Sequence, residues 1–270
     1  MSETDKVFAG TIPDVYDDHL VPLIFETYAA DLATRVASLE PKSVLETAAG
    51  SGVVTRALAP LLSDDARYSV TDLNQPMLDR ASRRQPADQR IEWRQADALS
   101  LPFEDETFDV ICCQFGVMFF PDKVTGYRSA LRALKDGGKF IFNVWDRIEE
   151  NEFADCVTRT ASAIFPDDPP LFLARTPHGY HDVSLIEAEL GAAGFMDIEI
   201  HTIASESRAA NPRVPAVAYC QGTPLWNELE TRNPSRIEEV TDRATADLEQ
   251  RYGSGSISGK IQGHVIIATR

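Results

Sequence analysis

Short runs rich in β-branched and aromatic residues recur through the first half of the chain: SVLETA, RYSVTD, RIEWRQAD, FDVICCQF and GKFIFNVWD. Stretches with helical spacing separate them. Apolar runs of strand length alternating with helices predict a parallel sheet covered by helices on both faces. In DKVTGYRSALRALKDGG, between the last two runs, Val124, Tyr127, Leu131 and Leu134 repeat at helical spacing. Asp122 suits the N-cap of that helix and Gly137 its stop. Ahead of the first strand, Tyr16 to Leu39 reads as one amphipathic helix.

The alternation breaks after Asp146. Phe153, Val157, Ala161 and Ile164 fall on one helical face, followed by PDDPP and a loop to about His181. SLIEAELGAAGF then predicts a helix opened by a capping box of Ser184 and Glu187 and ended by Gly194, and FMDIEIHTI a strand. A second irregular stretch holds a helix with Ile237, Val240, Ala244 and Leu248 on one stripe, and GHVIIATR closes the chain as a strand. The expected organisation is one domain over 1–270. It has an N-terminal helix or lid (1–41), a core (42–146), two helical cap insertions (147–182 and 204–259) and closing elements (183–203 and 260–270).

Composition narrows the partners. Asp and Glu number 42 against 26 Lys and Arg, a formal charge of −16, with no basic cluster to follow a phosphate backbone. Nucleic acid and anionic membrane surfaces are therefore not expected partners. The longest apolar run, VICCQFGVMFFP, is well short of the ~20 residues of a membrane span, and Met1 to Val15 lacks a secretory apolar core. A cytoplasmic location is expected. Cys112, Cys113, Cys156 and Cys220 fit no zinc or disulfide pattern and read as reduced packing residues, so no metal is expected.

The first strand runs into VLETAAGSG, where Ala48, Ala49, Gly50 and Gly52 strip the backbone of side chains directly after Glu46. Small residues there let a ligand approach the main chain, and the first βα turn of a parallel sheet floors its ligand crevice. Twenty residues beyond Gly52 the second strand ends in Asp72, a carboxylate placed to accept from both hydroxyls of a ribose. The third strand ends in QADAL, bringing Asp97 to the same edge, where it can accept from an exocyclic amine or cap a turn. These features point to a nucleoside ligand.

The ordered set VLETAAGSG, VTDLNQPML, RQADALSLPFEDETFDVI, CQFGVMFFPD and LKDGGKFIFNVWD resembles the class I S-adenosylmethionine-dependent methyltransferases, most closely the ubiquinone/menaquinone-type small-molecule branch. The resemblance implies a Rossmann-like α/β fold of seven mostly parallel strands with an antiparallel last strand. It implies S-adenosylmethionine as cofactor, S-adenosylhomocysteine as product and a small-molecule acceptor. Glu46 would orient the cofactor's amino group or the nearby turn. Ala48, Gly50 and Gly52 would line its methionine and ribose portions, and Asp72 would hold the ribose. Leu73 and Met77 would pack on adenine, and Asp97 with Ala98 would read its amine edge. Gln114 and Phe115 would border the methionine moiety and reacting methyl, with Tyr16 as a lid candidate. One position departs from the family: the first glycine of its turn is Ala48, which requires a φ open to a residue with a Cβ.

His178 and His181, in PHGYHD, are the candidate general bases, with local loop order as the alternative. His201 alternates with Ile198 and Ile200 and is expected to face solvent. Trp145, Phe165, Phe172, Tyr180, Tyr219 and Trp226 could line an apolar acceptor pocket or serve as core. Two rival functions stay open on sequence alone. A nicotinamide-dependent oxidoreductase could use the same turn and Asp72, although Thr55 stands where its third glycine belongs. A non-catalytic S-adenosylmethionine-binding module is the other.

Overall fold

A computed structural model describes residues 12–270; residues 1–11 of the expected N-terminal lid lie outside the described residues. The seven strands are β1 (Ser43–Glu46), β2 (Arg67–Asp72), β3 (Ile91–Gln95), β4 (Phe108–Gln114), β5 (Leu134–Trp145), β6 (Asp197–Ala209) and β7 (Ile257–Thr269). They form one sheet in the order β3-β2-β1-β4-β5-β7-β6. β1 pairs in parallel with β2 and β4, β2 with β3 and β4 with β5. β7 runs antiparallel to β5: Gly137 and Gly138 pair with Arg270, whereas Asp146 pairs with Gln262. The expected seven-stranded, mostly parallel α/β sheet is therefore the observed one.

The described chain divides into two compact units, one of residues 12–25, 145–180 and 204–262, the other of 26–144, 181–203 and 263–270. In the second unit the sheet is apolar on both faces because alternate residues point to opposite sides. Val44, Val110, Cys112 and Ile141 pack with Leu32, Ala33 and Val36 of the helix Glu26–Ala37. Phe140 and Phe142 point the other way, stacking with Tyr127 of the helix Lys123–Ala133 and, for Phe140, with Phe195. Burying each such side chain contributes roughly 1.5–3 kcal/mol. The four cysteines are buried and unpaired, as expected.

The first unit is mostly helical. Phe153, Val157 and Ala161 of the helix Glu152–Ile164 are buried, as are Ile237, Val240, Ala244 and Leu248 of the helix Ile237–Tyr252. Polar links bind these helices as well: Thr160 Oγ1 donates to Asp247 at 2.7 Å, and Arg251 pairs with Glu152 at 3.2 Å. The region expected as irregular also contains the helices Arg213–Gln221 and Leu225–Arg232.

Several boundaries differ from the sequence reading. The helix capped by Asp122 ends at Ala133, where Leu134 turns extended. Gly137, expected as its stop, instead lies within β5 at φ +74°. There LKDGG forms an irregularity: Phe108 pairs with Leu134, but Val110 pairs with Lys139. β6 and β7 run further than expected, reaching Ala209 and starting at Ile257. The stretch from Tyr16 is not one α-helix, since Tyr16–Phe25 winds as a π-helix containing Pro22. Proline has no N–H to give the tighter ladder, and the wider winding accommodates the loss.

The helix Val183–Ala193 is capped by Asp182, not by a Ser184–Glu187 box: its carboxylate accepts from the N–H of Ser184 at 2.9 Å and of Leu185 at 3.3 Å. Gly194 ends this helix at φ +114°, as expected. Asp182→Ala should lower stability by about 1 kcal/mol in urea unfolding, while Ser184→Ala should shift the midpoint little.

Candidate functional site

The sheet reverses direction of growth between β1 and β4, the position at which an open α/β sheet leaves a ligand crevice beyond its carboxyl ends. β1 stops at Glu46, level with Cys112 of β4. Beyond it the chain makes three left-handed residues within five positions, Ala48 (φ +52°), Gly50 (φ +57°) and Gly52 (φ +79°). Ala48 thus takes the family's glycine position in the small αL well open to residues with a Cβ, at about 1–2 kcal/mol. Its methyl group is accommodated by Gly116 after β4: a Cβ there would lie 2.5 Å from that of Ala48 and 2.7 Å from Cys113 Sγ.

The turn is held by its neighbours. Ala49 N–H donates to Thr71 O at 3.0 Å and Gly52 N–H to Ala49 O at 2.9 Å. Asp72, at the end of β2, accepts from Gly50 N–H at 2.8 Å through one oxygen and from Asn74 N–H at 2.7 Å through the other. Burial raises its pKa, and these backbone bonds oppose the rise. The Asn74 side-chain amide also donates to the second oxygen, at 3.4 Å. A carboxylate offers about four acceptor positions, so the remaining capacity is on the oxygen that faces Gly50. A Cβ added at Gly50 would meet only Met77 Cε, at 3.8 Å. The bare turn and the remaining acceptor capacity of Asp72 both fit a ribose.

Of the two roles expected of Glu46, the amino group of a cofactor or the nearby turn, its hydrogen bonds show the second. It is 1% exposed, and one carboxylate oxygen accepts from Thr55 Oγ1 at 2.7 Å and from the Tyr68 hydroxyl. It therefore fastens the helix Val53–Leu58 and β2 behind the turn. Removal from water pushes its pKa up from 4.5 to about 7, against the lowering effect of the Tyr68 and Thr55 hydrogen bonds. Tyr68 and Thr55 carried no motif signal and were not foreseen as its partners.

β4 and β5 continue beyond the level of Glu46, pairing Cys113 with Phe142 and Gln114 with Asn143. Gln114 and Asn143 thus stand two residues, about 7 Å, past the end of β1. Phe115 follows at φ +47° and packs edge-on against Tyr28, with ring centroids 5.2 Å apart. Its N–H is shared by Asn143 O at 3.1 Å and Asn143 Oδ1 at 2.9 Å. Asn143 is fully buried. Sequence reasoning missed it, although a lone amide inside the apolar run FIFNVW was a legible signal.

The adenine candidates lie at the ends of β2 and β3. Leu73 is 46% exposed, an apolar side chain left open to solvent, whereas Met77 is buried. Asp97 is exposed and caps the turn Ala98–Ser100 by accepting from Leu99 N–H at 2.9 Å, so its turn-capping alternative is realised on one oxygen. Ala98 opens that turn, half-buried. β3 is held beside β2 by Ala96 N–H, which donates to Asp72 O at 3.0 Å. In the first unit, Tyr16 packs on Phe25 and Phe25 on Trp145, with centroids 5.3 and 6.0 Å apart. His178 belongs to the same unit, its ring 6.0 Å from Trp145. Its Nδ1 lies 2.9 Å from Asp146 O, and because a carbonyl only accepts, Nδ1 carries the proton. His181 belongs to the second unit, and His201 is exposed, as expected.

Two outcomes follow from this geometry. The folded state holds the Glu46 proton up to about pH 7, while the unfolded chain releases it near its ordinary value. Stability from this group is then full below about pH 4.5 and lost as pH rises through about 7, a loss of about 3 kcal/mol at most. Urea midpoints of the wild type should fall across that window more steeply than those of Glu46→Gln. Gly116→Ala should cost about 1–3 kcal/mol by overpacking. Ala48→Gly alone should be near neutral, its relief of roughly 1 kcal/mol offset by added freedom in the unfolded chain. Combined, the two should recover part of the Gly116→Ala loss in a double-mutant cycle, Cys113 Sγ remaining in the way.

Known proteins resemble this chain in sequence and in fold. Residues 8–175 match the ubiE/COQ5 methyltransferase family. A demethylmenaquinone methyltransferase of Clavibacter sepedonicus is 27% identical over 179 residues, 61% of this chain and 69% of the relative. A ubiquinone/menaquinone biosynthesis C-methyltransferase of Shewanella sediminis is 28% identical over 169 residues, 58% and 67% of the two chains. Among solved structures, a Bacillus halodurans methyltransferase superposes with a TM-score of 0.56 at 19% identity, covering 90% of this chain and 98% of its own. A Haemonchus contortus phosphoethanolamine N-methyltransferase in complex with S-adenosylhomocysteine gives 0.53 at 17% identity, covering 97% and 61%. The nicotinamide and purely binding alternatives give way to an enzyme that transfers a methyl group from S-adenosylmethionine to a small molecule. The chain belongs to the ubiE/COQ5 methyltransferase family.

Proposed function

We propose that the cofactor is held along the carboxyl edge of β2, β1 and β4, and that the acceptor is a flat, weakly polar ring compound. The observation that carries the first part is the Asp72 bridge. One carboxylate orders the turn after β1 through Gly50 and the turn after β2 through Asn74, and the oxygen facing Gly50 retains acceptor capacity for a ribose hydroxyl. Ala48, Gly50 and Gly52 then line the ribose and methionine portions, Leu73 and Met77 the adenine, and Asp97 with Ala98 its amine edge. Gln114 and Phe115 border the reacting end, and Glu46 braces the turn from behind. When bound, S-adenosylmethionine supplies an activated methyl group. The chain's own residues aim the reactants and exclude water, effects that can contribute roughly 7–11 kcal/mol without a dedicated side chain.

Support for a ring-shaped acceptor comes from the relatives, named as a demethylmenaquinone methyltransferase and a ubiquinone/menaquinone biosynthesis C-methyltransferase. Demethylmenaquinone, named for one relative, is the acceptor we take, in its reduced form because only an electron-rich ring can attack the methyl group. His178 is our candidate base for an acceptor that must lose a proton, its ring oriented by the bond from Nδ1 to Asp146 O. His181 is the weaker candidate. We place the protein in the cytoplasm, on its charge of −16 and because, among the described residues, no helix is long and apolar enough to cross a membrane.

Asp72→Ala should weaken S-adenosylhomocysteine binding by about 1.5–3 kcal/mol in calorimetry, with the fold intact by circular dichroism. Unchanged affinity would remove Asp72 from the ribose. Label transfer from the methyl donor should occur to reduced demethylmenaquinone and related quinols; transfer confined to amines or carboxylic acids in the same panel would overturn the acceptor assignment.

A further inference from the structure

The helix Val183–Ala193 turns an uncharged face to solvent. On its inner side Ile186, Leu190 and Ala193 are buried, and Arg128 of the helix Lys123–Ala133 donates to Ala192 O at 3.0 Å. With about 100° between successive residues, the outer side carries Ser184, Leu185, Ala188, Gly191 and Ala192, all exposed. A surface helix ordinarily keeps its charged residues there. In this chain, with a formal charge of −16, Glu187 and Glu189 stand only at the margins of that face. A Cβ added at Gly191 would meet no atom within 4 Å. Of the seven large apolar side chains exposed among the described residues, three, Val183, Leu185 and Met196, belong to this helix and the turn after it, and Met196 is 93% exposed. Apolar exposure is therefore concentrated here, not scattered singly over the surface.

Charge selects the occupant of this face. Arg128, itself exposed, stands at the carbonyl end of the helix, and the exposed Asp182 caps the amino end. Ala188 lies midway, six residues from Asp182 and six from Gly194, about 9 Å along the axis either way. A second copy laid antiparallel across the face, with a two-fold axis at Ala188, brings each Arg128 level with the partner's Asp182. The cap uses one oxygen of Asp182, and the guanidinium has donors beyond the one given to Ala192 O. The same arrangement sets the two helix dipoles head to tail, and the small side chains at Ala188, Gly191 and Ala192 allow a close crossing. Two chains of charge −16 repel, so they can meet closely only where the surface is neutral, as on this face. An anionic lipid surface would instead meet the carboxylates of Asp182, Glu187 and Asp197 beside it.

We propose that the outer face of the helix Val183–Ala193 is the contact surface of a two-fold homodimer, with Ala188 at its axis and Arg128 paired with the partner's Asp182. Such a contact is isologous, the commonest form of self-association. Sedimentation velocity of the full chain should show a mass that rises to twice that of one chain over micromolar concentrations. Ala188→Glu sets two like charges together at the axis in a residue type that favours helix. It should weaken the dimer about tenfold or more, with circular dichroism unchanged. Arg128→Glu should weaken it about threefold or more. Ala188→Cys should form an intermolecular disulfide on mild oxidation, because a residue at the axis meets its own copy and the four native cysteines are buried. Ala87→Cys, exposed ahead of β3, should not. A single-chain mass throughout, or a dimer that Ala188→Glu leaves intact, would overturn the proposal. So would a monomer that cosediments with phosphatidylcholine vesicles and releases them on Ala188→Glu, which would assign the face to a lipid surface.

Discussion

A single buried carboxylate joins two turns on which the cofactor crevice depends. Asp72 takes the Gly50 N–H with one oxygen and the Asn74 N–H with the other, so the loops following β1 and β2 cannot shift independently. Its burial opposes ionisation and raises its pKa, and the two backbone donors offset part of that penalty. The ordering is done when the chain folds, not when ligand arrives. A ligand that uses the same carboxylate meets it already aligned, which is the main advantage of preorganisation in binding. The left-handed φ angles of Ala48, Gly50 and Gly52 belong to the same constraint, since the Gly50 N–H reaches Asp72 only with the backbone wound that way.

The motif offered Glu46 two roles, a grip on the cofactor's amino group or support of the nearby turn, and the fold displays the second. The carboxylate beside the bare turn suggested a grip on a cationic ligand. Folded, it lies under the turn and gathers Thr55 and Tyr68 from two other elements. Its position in sequence announced a βα junction; its partners lie 9 and 22 residues away and depend on strand register. A buried acid with a pKa near 7 is a liability at higher pH, tolerated because those hydrogen bonds define where the helix after the turn begins.

What was legible in the sequence was what repeats. The period-two and helical patterns named all seven strands and placed Asp72 and Asp97 at neighbouring strand ends, because burial on two faces dictates side-chain character residue by residue. Legibility failed where a local signal competed with a long-range one. Ser184 and Glu187 spell a capping box, yet Asp182 begins the helix two residues earlier and supplies a stronger acceptor. Gly137 looks like a helix stop, but pairing with the chain terminus at Arg270 draws it into β5. The extra lengths of β6 and β7 were hidden for a related reason. The part of β6 beyond Ile203, ASESRA, is almost wholly small or polar and carries no apolar periodicity.

The inward turn of Glu46 also has an electrostatic logic for the chemistry. In methyl transfer the positive charge of the sulfonium disappears as the new bond forms. A carboxylate pressed against that charge would hold the ground state more firmly than the transition state, and only the difference between the two affects the rate. At the same separation the attraction would be greatest in a dry site, where the effective dielectric is low. Tying Glu46 to Tyr68 and Thr55 removes the nearest acid of β1 from that role. On the proposed cofactor path Asp72 lies toward the ribose, at β2, so neither of the two buried carboxylates is set against the charge that must be lost.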